Sequence, residues 1–221
     1  MRAVRVQDRI WRGLGQGARV LGSACTLYRA SGPNDPLRAG NVVMTLNAAF
    51  APVRGWERPA GYGQALWQGV FDGAYVRAGD YLRRAESRPG AAAGGIWFVA
   101  AQQALLPSLC VRASRVVSFV RPAAPASAGI NDYGGVGDGG SQILLNGWPA
   151  SVLDAGGGGA YQANLPTGTA LGGWQVLLAG YPGVTLRAGD HMSDDLGRAG
   201  VVASAELSEL GWRLHVTQAA T

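Results

Sequence analysis

The sequence predicts a mainly β protein: two similar small antiparallel β-barrel or sandwich modules preceded by an N-terminal arm with a short helix. Three observations predict it. First, Leu186-Arg187-Ala188-Gly189-Asp190-His191-Met192 restates Val76-Arg77-Ala78-Gly79-Asp80-Tyr81-Leu82, with Arg-Ala-Gly-Asp identical and apolar residues on either side. Second, the sequels repeat. Ile96-Trp97-Phe98-Val99-Ala100-Ala101 and then Leu109-Cys110-Val111-Arg112 follow the first copy; Gly200-Val201-Val202-Ala203-Ser204-Ala205 and then Trp212-Arg213-Leu214-His215-Val216 follow the second. Third, the apolar runs are short and separated by turn residues, as in small barrels and sandwiches.

Glycine tolerates positive φ, and Asp caps a turn through its side-chain oxygen. Arg77, Gly79, Asp80 and Arg187, Gly189, Asp190 therefore read as one turn used twice. Leu37-Arg38-Ala39-Gly40-Asn41 is a fainter third copy. Alanine interrupts what would be an Arg-Gly-Asp adhesion tripeptide.

In chain order, residues 6–21 predict a helix: Ile10, Leu14, Ala18 and Leu21 recur at helical spacing with Trp11 beside them. Gly13, Gly15 and Gly17 each cost such a helix about 1 kcal/mol relative to Ala, so it needs a surface to dock on. Gly22 marks its end. The Gly-x-Gly-x-Gly spacing does not match a dinucleotide fingerprint and follows no strand. Residues 28–36 read as a loop, 41–50 as a strand, and 51–63 as an extended connector with Trp56.

The expected organisation is an arm over 1–63, a first β module over 64–121, a Gly/Pro-rich linker over 122–142 and a second β module over 143–221. Residues 109–117 and 212–216 alternate as half-buried strands do. In the second module Asp194-Asp195-Leu196-Gly197-Arg198 makes a tight hairpin. The first carries a Gly/Ala insertion over 87–95 in its place, which is cheap because closure entropy grows slowly with loop length. The glycine run over 154–160 predicts a further loop.

The basic residues are all arginine, 19 against 14 acids, for a net charge of +5. They look scattered, the densest group being Arg77, Arg83, Arg84 and Arg88. Scattered charge reads as solvated surface, so direct nucleic-acid contact is not expected. No run reaches the roughly 20 apolar residues of a membrane-spanning helix. Residues 1–16 lack the apolar run of a secretory signal, so synthesis in a cytoplasm is expected. Cys25 and Cys110 have no CxxC spacing. Cys110 reads as a small buried hydrophobe, and pairing with Cys25 stays open.

Chemistry is sparse. His191 and His215 lack metal-ligand spacing. Ser193, His191 and Asp190 can be written as a triad, but no Gly-x-Ser-x-Gly elbow supports it. Asn131-Asp132-Tyr133-Gly134-Gly135-Val136-Gly137-Asp138-Gly139-Gly140 is only loosely like a calcium nonapeptide: its Asp falls one place early and the unit is not iterated. The expectation is no catalytic residue, no cofactor, no metal and no enzyme activity. Of seven tryptophans, Trp97, Trp174 and Trp212 sit in strands and read as core. Trp56, Trp67 and Trp148 sit beside Gly or Pro in irregular segments. With Ile10, Trp11 and Leu14 they form the expected interface set, since aromatics bury much area at small entropic cost. The same tryptophans could instead form a glycan- or cell-surface-binding platform.

Val184-Thr185-Leu186-Arg187-Ala188-Gly189-Asp190, Asp195-Leu196-Gly197-Arg198, Val201-Val202-Ala203 and Gly211-Trp212-Arg213-Leu214-His215-Val216 together resemble small β-barrel neck and tail proteins of tailed bacteriophages and prophages. The resemblance covers about the last 40 residues well, the first module less well and the first 60 hardly at all. Here the usual single module is doubled. The resemblance implies a virion structural protein of the head–tail junction (neck), tail or baseplate, made in a bacterial cytoplasm. It implies a homo-oligomeric ring that meets other virion proteins through its arm and loops.

Overall fold

In the computed structural model, which describes residues 2–53, 65–85, 94–103, 105–122, 140–155 and 172–218, alternate residues of each module's opening strand point into a core. Cys25 and Leu27 are buried, and so are Val117 and Phe119. The elements are α1 (Arg2–Leu21), β1 (Ser23–Tyr28), β2 (Val42–Pro52), β3 (Leu66–Val70), β4 (Tyr81–Arg84), β5 (Ile96–Ala101), β6 (Ser108–Ala113), β7 (Arg115–Pro122), β8 (Ser141–Asp154), β9 (Gly173–Leu178), β10 (His191–Asp194), β11 (Ala199–Ser208) and β12 (Gly211–Gln218).

The strands close two antiparallel six-stranded barrels, in the order β1-β2-β3-β6-β5-β4 and β7-β8-β9-β12-β11-β10. Each strand of the first has its counterpart six places later, so the duplication covers the whole barrel. The expected pair of β modules behind an N-terminal helix is what forms.

The boundaries differ from those the sequence suggests. Residues 23–52, placed in the arm, supply two strands of the first barrel, which leaves α1 as the only element before it. Residues 122–142 do not join the modules. Pro122 pairs with Ser141, so this stretch connects two neighbouring strands of the second barrel; residues 123–139 lie outside the described ones. The chain passes from one barrel to the other through a single residue, Ser114, between β6 and β7. Its N–H donates to Ala150 O at 2.9 Å, and its hydroxyl accepts from Val152 N–H at 2.9 Å, fixing the crossover against β8. Richness in Gly and Pro marks a cheap insertion, and an insertion costs as little at a hairpin tip as between domains.

The helix docks by the stripe that predicted it except for Leu21, which is 80% exposed at its end. Ala18 is buried, with Ile10, Trp11 and Leu14 half-buried on the same face. It ends where Gly22 N–H bonds Ala18 O at 2.9 Å. A Cβ at Gly22 would fall 2.5 Å from Ala48 O, so only glycine lets the chain turn this close to β2. Gly15 lies over Asp72, whose Cβ would be 3.0 Å from an added methyl, whereas Gly13 and Gly17 face open space. Gly13→Ala and Gly17→Ala are each expected to stabilise the docked helix by about 1 kcal/mol, read as a gain in helical circular dichroism and in resistance to proteolysis before Ser23. Gly15→Ala should gain less, because Asp72 must give way.

The two barrels share one core. Tyr28, Tyr81, Phe98 and Val111 on the outside of the first cluster with Trp148, Ala150 and Ala179 of the second, while Cys25, Leu27, Leu82, Trp97, Val99 and Cys110 fill the interior of the first. The packing is not symmetric. His191, Val201 and Thr217 hold the register positions in the second barrel that Tyr81, Phe98 and Val111 hold in the first. His191 and Thr217 are exposed. With His191 and Thr217 in place of Tyr81 and Val111, this face of the second barrel is wetted where that of the first is covered.

Candidate functional site

The repeated motif builds a clamp in each barrel. Gly79 (φ +87°) and Gly189 (φ +90°) turn the chain, delivering Asp80 and Asp190 to the heads of β4 and β10, both almost fully buried. Arg29, just after β1, donates through Nε to Asp80 Oδ1 at 2.8 Å and through Nη2 to Oδ2 at 2.7 Å. Arg121 of β7 does the same to Asp190 at 2.8 and 3.0 Å. Each carboxylate also accepts a backbone N–H at 2.8 Å, from Arg77 and Arg187 respectively. The second guanidinium nitrogen reaches Tyr75 O in one barrel and Thr185 O in the other. The aspartates draw the guanidinium pKa values of Arg29 and Arg121 upward through these bonds.

The motif's own arginines, Arg77 and Arg187, thus contribute backbone to the clamp, and the charge comes from Arg29 and Arg121. Sequence reading missed that pair. The signal was present, since Leu27-Tyr28-Arg29 and Phe119-Val120-Arg121 each place Arg after an apolar strand, but it appears only when the modules are aligned from Ser23 and Arg115. The third copy makes a short 3-10 turn, Ala39–Asn41, whose Asn41 is buried and bonds Asp35 O and Pro36 O within its own loop.

At the hairpin of the second barrel, Asp194 accepts N–H groups of Leu196 and Arg198 at 3.0 and 2.9 Å and pairs with the Arg198 guanidinium. Burial works against its ionised form, but the Arg198 side chain and these N–H groups outweigh it and hold the carboxyl below its ordinary 3.8. The unfolded chain then binds the proton more readily than the folded one. The stabilisation is complete above the ordinary carboxyl value and is lost as pH falls through the lowered folded value. Asp194→Asn is expected to cost about 1 kcal/mol at neutral pH, a modest loss because the Arg198 side chain of the pair is 34% exposed and water screens it. In denaturant melts the difference from the parent should close as the pH is lowered through that folded value.

Other expected site residues disperse. Trp148 is not in an irregular segment and not at the surface. It lies in β8, 1% exposed, next to a bulge at Gly147 (φ +71°) whose N–H bonds the Ser118 hydroxyl. Its Nε1 donates to Pro33 O at 2.6 Å, and it meets Tyr81 and Tyr181 edge-on. Trp67 is also in a strand, β3, half-buried and edge-on to Trp97. Trp97 in turn stacks on Phe50 at 4.0 Å and lies under the Arg84 guanidinium. Trp56 is outside the described residues. Ile10, Trp11 and Leu14 face this chain's own first barrel. Cys25 and Cys110 are both free and buried, and burial pushes both thiols up, which keeps them protonated and inert. Among the described residues no three His, Cys, Asp or Glu converge as metal ligands. Both oxygens of Asp190 are committed to Arg121 and Arg187.

Open grooves lie beside the barrel seam and beside the helix. One of about 540 Å³ runs along the barrel seam, lined by Ile96, Arg112, Ser114, Pro149, Ser151 and Asp195. The other, about 420 Å³, lies between α1 and β2, lined by Arg12, Gln16, Arg19, Thr45, Asn47 and Tyr75. The second carries unpaired charge: none of the α1 arginines with described side chains, Arg5, Arg9, Arg12 and Arg19, forms an ion pair with a described residue.

No family model, no curated protein and no solved structure matches the chain.

Proposed function

We propose that the chain is a structural protein of a tailed-bacteriophage virion, in the head–tail junction, tail or baseplate, and that it assembles into a symmetric ring without catalysing a reaction. The observation that carries this reading is that two equivalent barrels join through unlike faces: the β4–β5–β6 side of the first against β8 of the second. Unlike-face contacts between chains close into rings when the rotation per subunit divides a full turn. The buried carboxylates support the reading, since Asp80 and Asp190 are spent on holding strands together. A glycan platform loses Trp148, which is enclosed between the barrels.

The test is the mass of the purified protein by light scattering over a range of concentrations, with electron microscopy of any assembly. A discrete ring-sized oligomer is the expected result. A particle that stays monomeric at every concentration, alone and with virion partners, would overturn it.

A further inference from the structure

The arginines that look scattered along the chain are not scattered on α1. The helix carries Arg2, Arg5, Arg9, Arg12 and Arg19 against a single acid, Asp8, and so holds four of the five net positive charges of the protein. The spacing is 3, 4, 3 and 7. At 3.6 residues per turn this confines all five to a sector about 100° wide. The sector lies opposite the docked stripe of Ile10, Leu14 and Ala18, and Arg5, Arg9, Arg12 and Arg19 are all exposed. From Arg5 to Arg19 the row is about 21 Å long at 1.5 Å per residue. Gln16 fills the one gap in the rhythm and is exposed too.

Such a row opposes its own helix, since like charges three and four residues apart repel. Asp8 is half-buried and makes no ion pair with the row. The groove beside the row adds neutral donors, Gln16 on the helix with Thr45 and Asn47 on β2, and one acid, Asp72, whose Oδ1 accepts the Ala74 N–H.

We propose that the outer face of α1 is a binding site for the phosphate backbone of duplex nucleic acid. A protein partner would be met by an apolar centre with a charged rim, and this row has charge along its whole length. A membrane would take the apolar face of the helix, and that face is already occupied by the first barrel. A row of guanidiniums that recurs every three or four residues, with one gap at Gln16, is matched by a polymer with one charge at each short step. Because the helix is seated by its other half, it can grip phosphates but cannot sink into a groove to read bases, so binding is independent of base sequence. The site stands on α1 alone and does not rest on the ring reading: a monomer would keep it.

The test is fluorescence anisotropy of the full chain with a labelled 20-base-pair DNA duplex across about 50 to 200 mM salt, a range over which phosphate contacts are released. Four phosphate contacts give a slope of about −3.6 in log K against log salt, a loss of about 100-fold over that range. The variant R5Q/R9Q/R12Q/R19Q should abolish the slope and most of the affinity. The variant R5K/R9K/R12K/R19K should keep both, because the slope counts cations. Circular dichroism checks that each variant folds.

Absence of duplex binding at low salt would overturn the proposal, as would equal binding by the parent and the glutamine variant. So would binding of poly-glutamate or of phosphatidylserine vesicles by a protein that ignores the duplex.

Discussion

Trp148→Ala is expected to be among the most destabilising single changes in the protein, at about 3–5 kcal/mol, the usual cost of emptying a large buried aromatic site. The side chain is 1% exposed and packs edge-on against Tyr81 from the first barrel and Tyr181 from the second. Truncation also strips Pro33 O of its 2.6 Å donor. Pro33 belongs to the β1–β2 connection of the first barrel, where Asp35 N–H bonds Asn146 O and Asn146 N–H bonds Pro33 O. One tryptophan therefore ties a loop of the first barrel to a strand of the second. Calorimetry should show a single transition in the parent, because the shared core couples the barrels, and two transitions in the variant. A loss under about 1 kcal/mol, typical of a surface position, would mean that the tryptophan does not hold the barrels together.

Asp190→Ala should cost about 2–4 kcal/mol, since it leaves the Arg121 guanidinium and the Arg187 N–H without their acceptor in a mostly enclosed site. Asp80→Ala acts on the same clamp in the first barrel. Its effect should be smaller, because the Arg29 side chain is 33% exposed against 22% for Arg121, and water can take over more of the lost bonds. The double change Asp190→Ala with Arg121→Met should recover part of the loss, because removing one partner strands a charge and removing both does not. Urea melts of the three variants decide it. An Asp190→Ala variant as stable as the parent would show that the turn holds without its ion pair.

Both effects bear on how much was legible in the sequence. The turn was legible, because Gly at positive φ followed by Asp is local chemistry that writes itself into four residues. The helix was legible for a similar reason: Ile10, Leu14 and Ala18 repeat at its period. The partner of each aspartate was not, since Arg29 lies 51 residues from Asp80 and Arg121 lies 69 from Asp190, and no local pattern links residues at such separation. Trp148 looked like a loop residue because Gly147 and Pro149 flank it. A bulge in a long strand uses the same residues as a loop does, and the fold alone tells them apart.

By itself, the sequence determined the class of the protein, the duplication, the N-terminal helix and the repeated turn. Each of these is fixed by residues within one turn or one strand of each other, where backbone preference and hydrophobic period act directly. The tertiary structure decided where the modules begin, that the chain passes between them through Ser114, that residues 122–142 connect strands of one barrel, and which tryptophans are buried. It also decided that Arg5, Arg9, Arg12 and Arg19 of α1 face outward as one row, because docking of the opposite stripe on the first barrel sets the rotation of the helix. Those outcomes depend on which distant surfaces meet, and closing a barrel brings together residues whose positions along the chain carry no record of the contact.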